Sequence, residues 1–168
     1  RYTGHRHRID WTQTTPPVPR WLGVRRFENV PLADIVPCID WTPFFQSWEL
    51  AGRFPAILTD EVVGESASAL WVDAQAMLAK IVSEHWLTAS GVVGLFPAQS
   101  INGEDIEIYC PETGAPLMTW VGLRQQLIKT AKDGQVSSPD WALADVIAAK
   151  DSGVKDYSGA FAVTAGLG

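Results

Sequence analysis

The sequence predicts an α+β fold, with N-terminal helices packed on a twisted antiparallel β-meander. Two observations carry this. From Ser66 to Trp86 apolar residues recur at three and four: Ala67, Leu70, Trp71, Ala74, Met77, Leu78, Ile81 and Val82. After Gly91 the period changes, and short apolar or alternating runs are separated by turn residues. Helices followed by strands around one core is the α+β pattern.

In chain order, residues 1–20 read as an extended interdomain arm. Thr14-Thr-Pro-Pro-Val-Pro19 is stiff, because proline fixes φ and pushes its predecessor out of the helical region. The two histidines of Arg1 to Arg8 lack further ligands for a closed metal site. Trp21 to Phe27 predicts a short strand, and Pro31 to Val36 a turn or short helix. Ile39 to Gly52 predicts a helix of about two turns, capped by Thr42, started by Pro43 and stopped by Gly52. So short a helix needs packing, and Trp41, Phe44, Phe45 and Trp48 are the residues to supply it.

Arg53 to Leu58 is bent by Pro55, and the helix of Ser66 to Trp86 follows. Gly91 to Phe96 predicts a buried strand closed by Pro97. Asp105 to Tyr109 alternates and predicts a half-exposed strand, joined to it by an Asn102-Gly103 hairpin. Pro111-Glu-Thr-Gly114 turns the chain into a third strand, Pro116 to Trp120. Leu123 to Lys129 reads as a helix turn or a fourth strand, and Gly134 to Pro139 as loop. Asp140 to Ile147 reads as a short helix or single turn, and Ser158 to Thr164 as a final strand.

A length of 168 residues fits one domain with a sizeable core. Its 19% charged residues are those of a globular chain. The net charge of −6 excludes a nucleic-acid footprint. No apolar run reaches the roughly 20 residues of a membrane span. Cys38 and Cys110 stand far apart and outside any zinc spacing, so reduced cytoplasmic thiols are expected. Eight Trp are expected mainly in the core, the alternative being a flat ligand's groove.

Asp40 is the first candidate for chemistry, with two readings. A carboxylate beside aromatic rings can hold a ligand ammonium by a charge-assisted hydrogen bond. It can equally satisfy free backbone N–H groups at a helix start. Asp60-Glu61 reads as a pair of helix-start acids rather than acid–base machinery. Gly91-x-x-Gly94 lacks the spacing of a phosphate loop and reads as close backbone approach in a strand. Arg124, Gln125 and Gln126 either bond to backbone or face a partner. His85 is expected in the long helix in a structural role, and no catalytic triad can be assembled.

Five segments in series resemble the activation domain of cobalamin-dependent methionine synthase. They are Ile39-Asp-Trp-Thr-Pro-Phe-Phe45, Asp60-Glu-Val-Val-Gly64, Gly91-Val-Val-Gly-Leu-Phe-Pro-Ala98, Leu123-Arg-Gln-Gln126 and Asp156-Tyr-Ser-Gly-Ala-Phe-Ala-Val-Thr164. The resemblance implies a cytoplasmic protein whose residues 21–168 are the N-terminal part of such a domain. It implies S-adenosylmethionine as ligand, with Asp40 contacting it, and cobalamin and zinc held only on other domains of the parent enzyme. It implies a cobalamin-binding domain and flavodoxin or a similar reductase as partners. The family's Arg-Pro-Ala-Pro-Gly-Tyr motif does not occur in these 168 residues. The expectation is therefore a fragment of a reactivation module, inactive alone. The alternative is a non-catalytic interaction module that docks a cobalamin or flavodoxin domain.

Overall fold

Eight regular elements and four single-turn 3-10 helices make up the computed structural model, which describes residues 6–126 and 138–166. Strand β1 (Gly23–Val30) comes first, followed by helices α1 (Leu32–Ile35), α2 (Thr42–Ser47) and α3 (Gly64–Ser83). Strands β2 (Thr88–Ile101), β3 (Asp105–Tyr109), β4 (Pro116–Trp120) and β5 (Asp156–Gly166) complete the chain. The sheet order is β1-β2-β3-β4, and β5 also pairs with β2. The α+β class is as predicted, and the strand expected at Trp21 to Phe27 is β1, which runs from Gly23 to Val30 and joins the sheet formed after the helices.

The meander is antiparallel, with Ala98 opposite Ile108 and Ile106 opposite Trp120. Its first turn follows from residue type. Asn102 and Gly103 both take positive φ, 54° and 76°, and the Glu104 N–H closes on the Ile101 carbonyl at 3.3 Å. β2 does not stop at Pro97 as expected. Pairing with β3 begins at Ala98, so the N–H that proline lacks falls outside that ladder.

Within the chain two compact units are distinct. One holds residues up to Arg25 with Val93–Phe161, and the other holds Arg26–Val92 with the chain from Ala162. The first has a core of Ala98, Ile106, Ala144 and Ile147, with Ile108 packed against it. The arm is seated on this unit: Pro16 is buried, and the His7 ring stacks on Trp141 with centroids 4.5 Å apart.

The second unit is built around Phe45, Ile57 and Ala67, all nearly or fully buried. Helix α3 starts two residues earlier and ends three earlier than predicted. Met77 lies off its buried stripe and is 51% exposed. His85 is not in the helix. It takes φ 53° just after it, and the Trp86 N–H reaches back to the Ile81 carbonyl at 3.2 Å, the Schellman pattern of a helix end. α2 ends the same way. Glu49, at φ 60°, sits where glycine is usual, and the Leu50 N–H bonds to the Phe45 carbonyl at 3.1 Å. The stop is therefore Glu49 and not Gly52.

Residues 123–126 form neither helix nor strand, while 127–129 and most of the loop expected at 134–139 lie outside the described residues. Asp140 to Ile147 contains one 3-10 turn, Leu143–Val146. Trp48, Trp86, Trp120 and Trp141 are 39% or more exposed, so half of the eight Trp are not core.

Candidate functional site

Asp40 stands at the surface, two residues before the first N–H of α2 that it serves. Its Oδ1 accepts from the Thr42 N–H at 3.0 Å. Thr42, expected as the cap, is instead the first helical residue, and its Oγ1 accepts from the Phe54 N–H at 3.3 Å. Among the described residues nothing donates to the second oxygen of Asp40. One carboxylate oxygen is thus used to shape the chain and the other faces outward.

Packing on one side holds this turn in place. The Trp41 ring meets Trp71 of α3 edge-on at 4.7 Å and Phe44 at 5.5 Å. Phe54 lies 4.7 Å from the same Trp71, and Phe45 is wholly buried beneath. Such aromatic pairs contribute about 0.5–1.5 kcal/mol each beyond their burial. Trp48, expected in this cluster, points away and is 61% exposed. Trp71 and Phe54 supply the area in its place, from segments that sequence distance hides.

The other candidate residues have structural partners. Asp60 Oδ1 accepts from the N–H groups of Val63 and Val62 at 3.0 and 2.9 Å, which holds its carboxyl below the ordinary range. This is a turn acid before α3, as expected. A Cβ on Gly91 would come 3.3 Å from the Val163 side chain, and one on Gly94 2.6 Å from the Phe96 ring, so side chains and not the expected backbone close on both glycines.

Arg124 is buried and makes a two-pronged pair with Asp145 at 2.6 and 2.7 Å. The same guanidinium donates to the carbonyls of Asp140 and Gly103. Burial pushes the Asp145 carboxyl up. The Arg124 guanidinium and the Ala142 N–H outweigh that and hold it below its ordinary value. Gln125 and Gln126 also bond to backbone. Of the two readings left open by sequence, bonding to backbone describes all three, and Arg124 and Gln125 tie a loop to the turn at 140–145.

A second polar group was not foreseen. Tyr109 and Lys150 both donate to Glu107 Oε2, Lys150 at 2.6 Å. Lys150 and then Tyr109 hold the Glu107 carboxyl low, while burial and Glu107 push the Tyr109 hydroxyl up. The alternation of β3, which puts 107 and 109 on one face, was its sequence signal. Tyr109 borders an open cleft of about 480 Å³ with Gln99, Cys110 and Lys155. That cleft belongs to the first unit and Asp40 to the second. Among the described residues no cluster of three metal-ligating side chains exists, and no helix is long and apolar enough to cross a membrane.

Residues 31–168 match the family of the vitamin B12 dependent methionine synthase activation domain. The chain belongs to that family. It is also similar to a crystal structure of the MetH reactivation domain bound to AdoHcy, with a TM-score of 0.78 and 45% identity. That similarity covers 96% of this chain and 48% of the other, so the chain spans about half the length of this relative. The aromatic shelf and Asp40 both fall inside the part matched to the activation-domain family.

Proposed function

We propose that this chain supplies one wall of an S-adenosylmethionine site, in a methionine synthase that reactivates its own cobalamin. The observation that carries this is Asp40: an exposed carboxylate, fixed at one oxygen by the Thr42 N–H and open at the other, in a member of the activation-domain family. A free carboxylate oxygen fits the α-ammonium of an amino acid, by a charge-assisted hydrogen bond. The AdoHcy bound to the similar reactivation domain carries the same amino-acid end.

When bound, S-adenosylmethionine supplies a methyl group that, with one electron, returns inactive cobalamin to its methylated state. The protein's part is placement. Asp40 holds the amino-acid end, and the Trp41–Trp71 packing keeps Asp40 from moving. This work needs no nucleophile or general base, consistent with Asp60-Glu61 acting as turn residues. The cobalamin would come from a neighbouring domain of the parent chain and the electron from flavodoxin or a similar reductase, in the cytoplasm.

The test is Asp40→Asn in the parent enzyme. Asparagine keeps the acceptor for the Thr42 N–H and removes the charge. Loss of a charged hydrogen bond worth about 1.5–3 kcal/mol weakens S-adenosylmethionine binding about 10-fold or more, with the melting temperature unchanged. Unchanged affinity by calorimetry refutes the role. The 168 residues alone should bind more weakly than micromolar.

A further inference from the structure

The cleft of about 480 Å³ in the first unit takes no part in the site proposed around Asp40. Its size is that of a small-molecule site, usually about 300–1,000 Å³. Leu22, Pro97 and Pro111 give it apolar walls, and Tyr109 and Tyr157 add aromatic rings. Hydrogen bonds hold those walls in place. The turn after β3 is closed twice, by the Cys110 N–H on the Ala115 carbonyl at 2.8 Å and by the Gly114 N–H on the Cys110 carbonyl at 2.9 Å. The Gln99 amide donates to the Val154 carbonyl at 3.1 Å, and the Tyr109 hydroxyl is engaged by Glu107. A cleft that is largely preformed and apolar, with few polar groups, is the ordinary form of a ligand site.

Two of its polar groups are left over. Lys155 and Tyr157 line the cleft, and among the described residues neither the ammonium nor the phenol hydroxyl has a hydrogen-bond or ionic partner. They stand two residues apart where β5 begins, and extended chain places such residues on one side. Asp156 between them is buried. Its Oδ2 accepts from the Ala148 N–H at 2.8 Å and its Oδ1 from the Tyr157 N–H at 2.7 Å. Among the described residues, the one carboxylate on the lining is thus committed to main chain, and the one cation, Lys155, is free. Glu107, beside Tyr109, is already paired with Lys150 at 2.6 Å. We infer that this cleft binds a small planar carboxylic acid in its ionised form. The flat body packs on the apolar and tyrosine walls. The carboxylate takes a charge-assisted hydrogen bond from Lys155 and a second bond from Tyr157. A single ammonium, which acts as a point charge, matches a single negative charge. The inference rests neither on family membership nor on the role of Asp40.

Naphthoate is the probe, with naphthylmethanol and naphthylmethylamine as its neutral and cationic counterparts. Cys110 lines the cleft, while Cys38 is exposed in the other unit. Alkylation by iodoacetamide, read at each cysteine by mass spectrometry, therefore reports occupancy with an internal comparison. Naphthoate should slow Cys110 and leave Cys38 unchanged, with half-protection at about 1 mM or below for an acid of this size. The alcohol should protect about 10-fold less well, because it lacks the charge, and the amine less still. Lys155→Met should weaken naphthoate about 10-fold and leave the alcohol unchanged, and Tyr157→Phe should weaken naphthoate about 3-fold. Lys155 is exposed, so Lys155→Met should leave the melting temperature unchanged. No protection of Cys110 at about 10 mM naphthoate overturns the inference. So does equal protection of both cysteines, or an amine that protects as well as the acid. Naphthoate binding to the Lys155→Met chain as tightly as to the unaltered one also overturns it.

Discussion

Arg124→Met tests whether one ion pair ties the loop after β4 to the turn at 140–145. The Arg124 side chain is 3% exposed and that of Asp145 is 1% exposed. The substitution removes two bonds to the carboxylate and the donors to the Asp140 and Gly103 carbonyls. It leaves Asp145 with the Ala142 N–H at 3.0 Å. Breaking a buried pair from one side costs about 3–5 kcal/mol, because the remaining charge is uncompensated. A domain's whole stability is about 5–15 kcal/mol. With a urea m-value of about 2 kcal/mol/M, the midpoint should fall by about 2 M. Removing both charges, as Arg124→Met with Asp145→Leu, should cost less than the single change. Arg124→Lys should fall between, since a point charge cannot make the two-pronged contact. Urea unfolding followed by circular dichroism decides it. A single-variant shift under 0.5 M, or a double variant less stable than the single, refutes the reasoning.

Gly122→Ala should destabilise by about 1–3 kcal/mol, because a Cβ there would lie 2.0 Å from the Glu104 carbonyl oxygen and backbone must move; urea midpoints check it. His85→Gly should raise the melting temperature by about 1–3 °C. It relieves the left-handed conformation of His85, and the greater freedom of glycine in the unfolded chain offsets part of the gain. Acid should weaken the fold through Asp145. Its folded pKa lies below the unfolded value of about 3.9. Its contribution is therefore present above that value and is lost as pH falls through the folded pKa. Melting temperatures between pH 6 and pH 2 should drop less steeply for Asp145→Asn than for the unaltered chain.

What could be read from sequence was local. The stripe from Ala67 to Val82 located α3, and Asn102-Gly103 located a hairpin whose φ values only such residues accept readily. The five family segments led to the right family. Contacts between distant residues were not legible. Nothing in Leu123-Arg-Gln-Gln126 names Asp145 as a partner, because the chain between them has no period to count along. Trp48 and Trp71 look alike in sequence, and only tertiary packing puts one in solvent and the other against Trp41. The helix ends were missed because Glu49 and His85 occupy positions where glycine is the usual signal. The N-terminal arm was expected to be extended, but nothing in its sequence foretold the His7–Trp141 stack.

The hydrogen bond from the Thr42 N–H to Asp40 has a thermodynamic consequence. A free aspartate must give up rotational freedom when it grips a ligand, and that loss is charged against affinity. Here the side chain is immobilised by its own backbone as the protein folds. On the role proposed for Asp40, that entropy is lost on folding and not on binding, so the carboxylate would be preorganised for a ligand's ammonium.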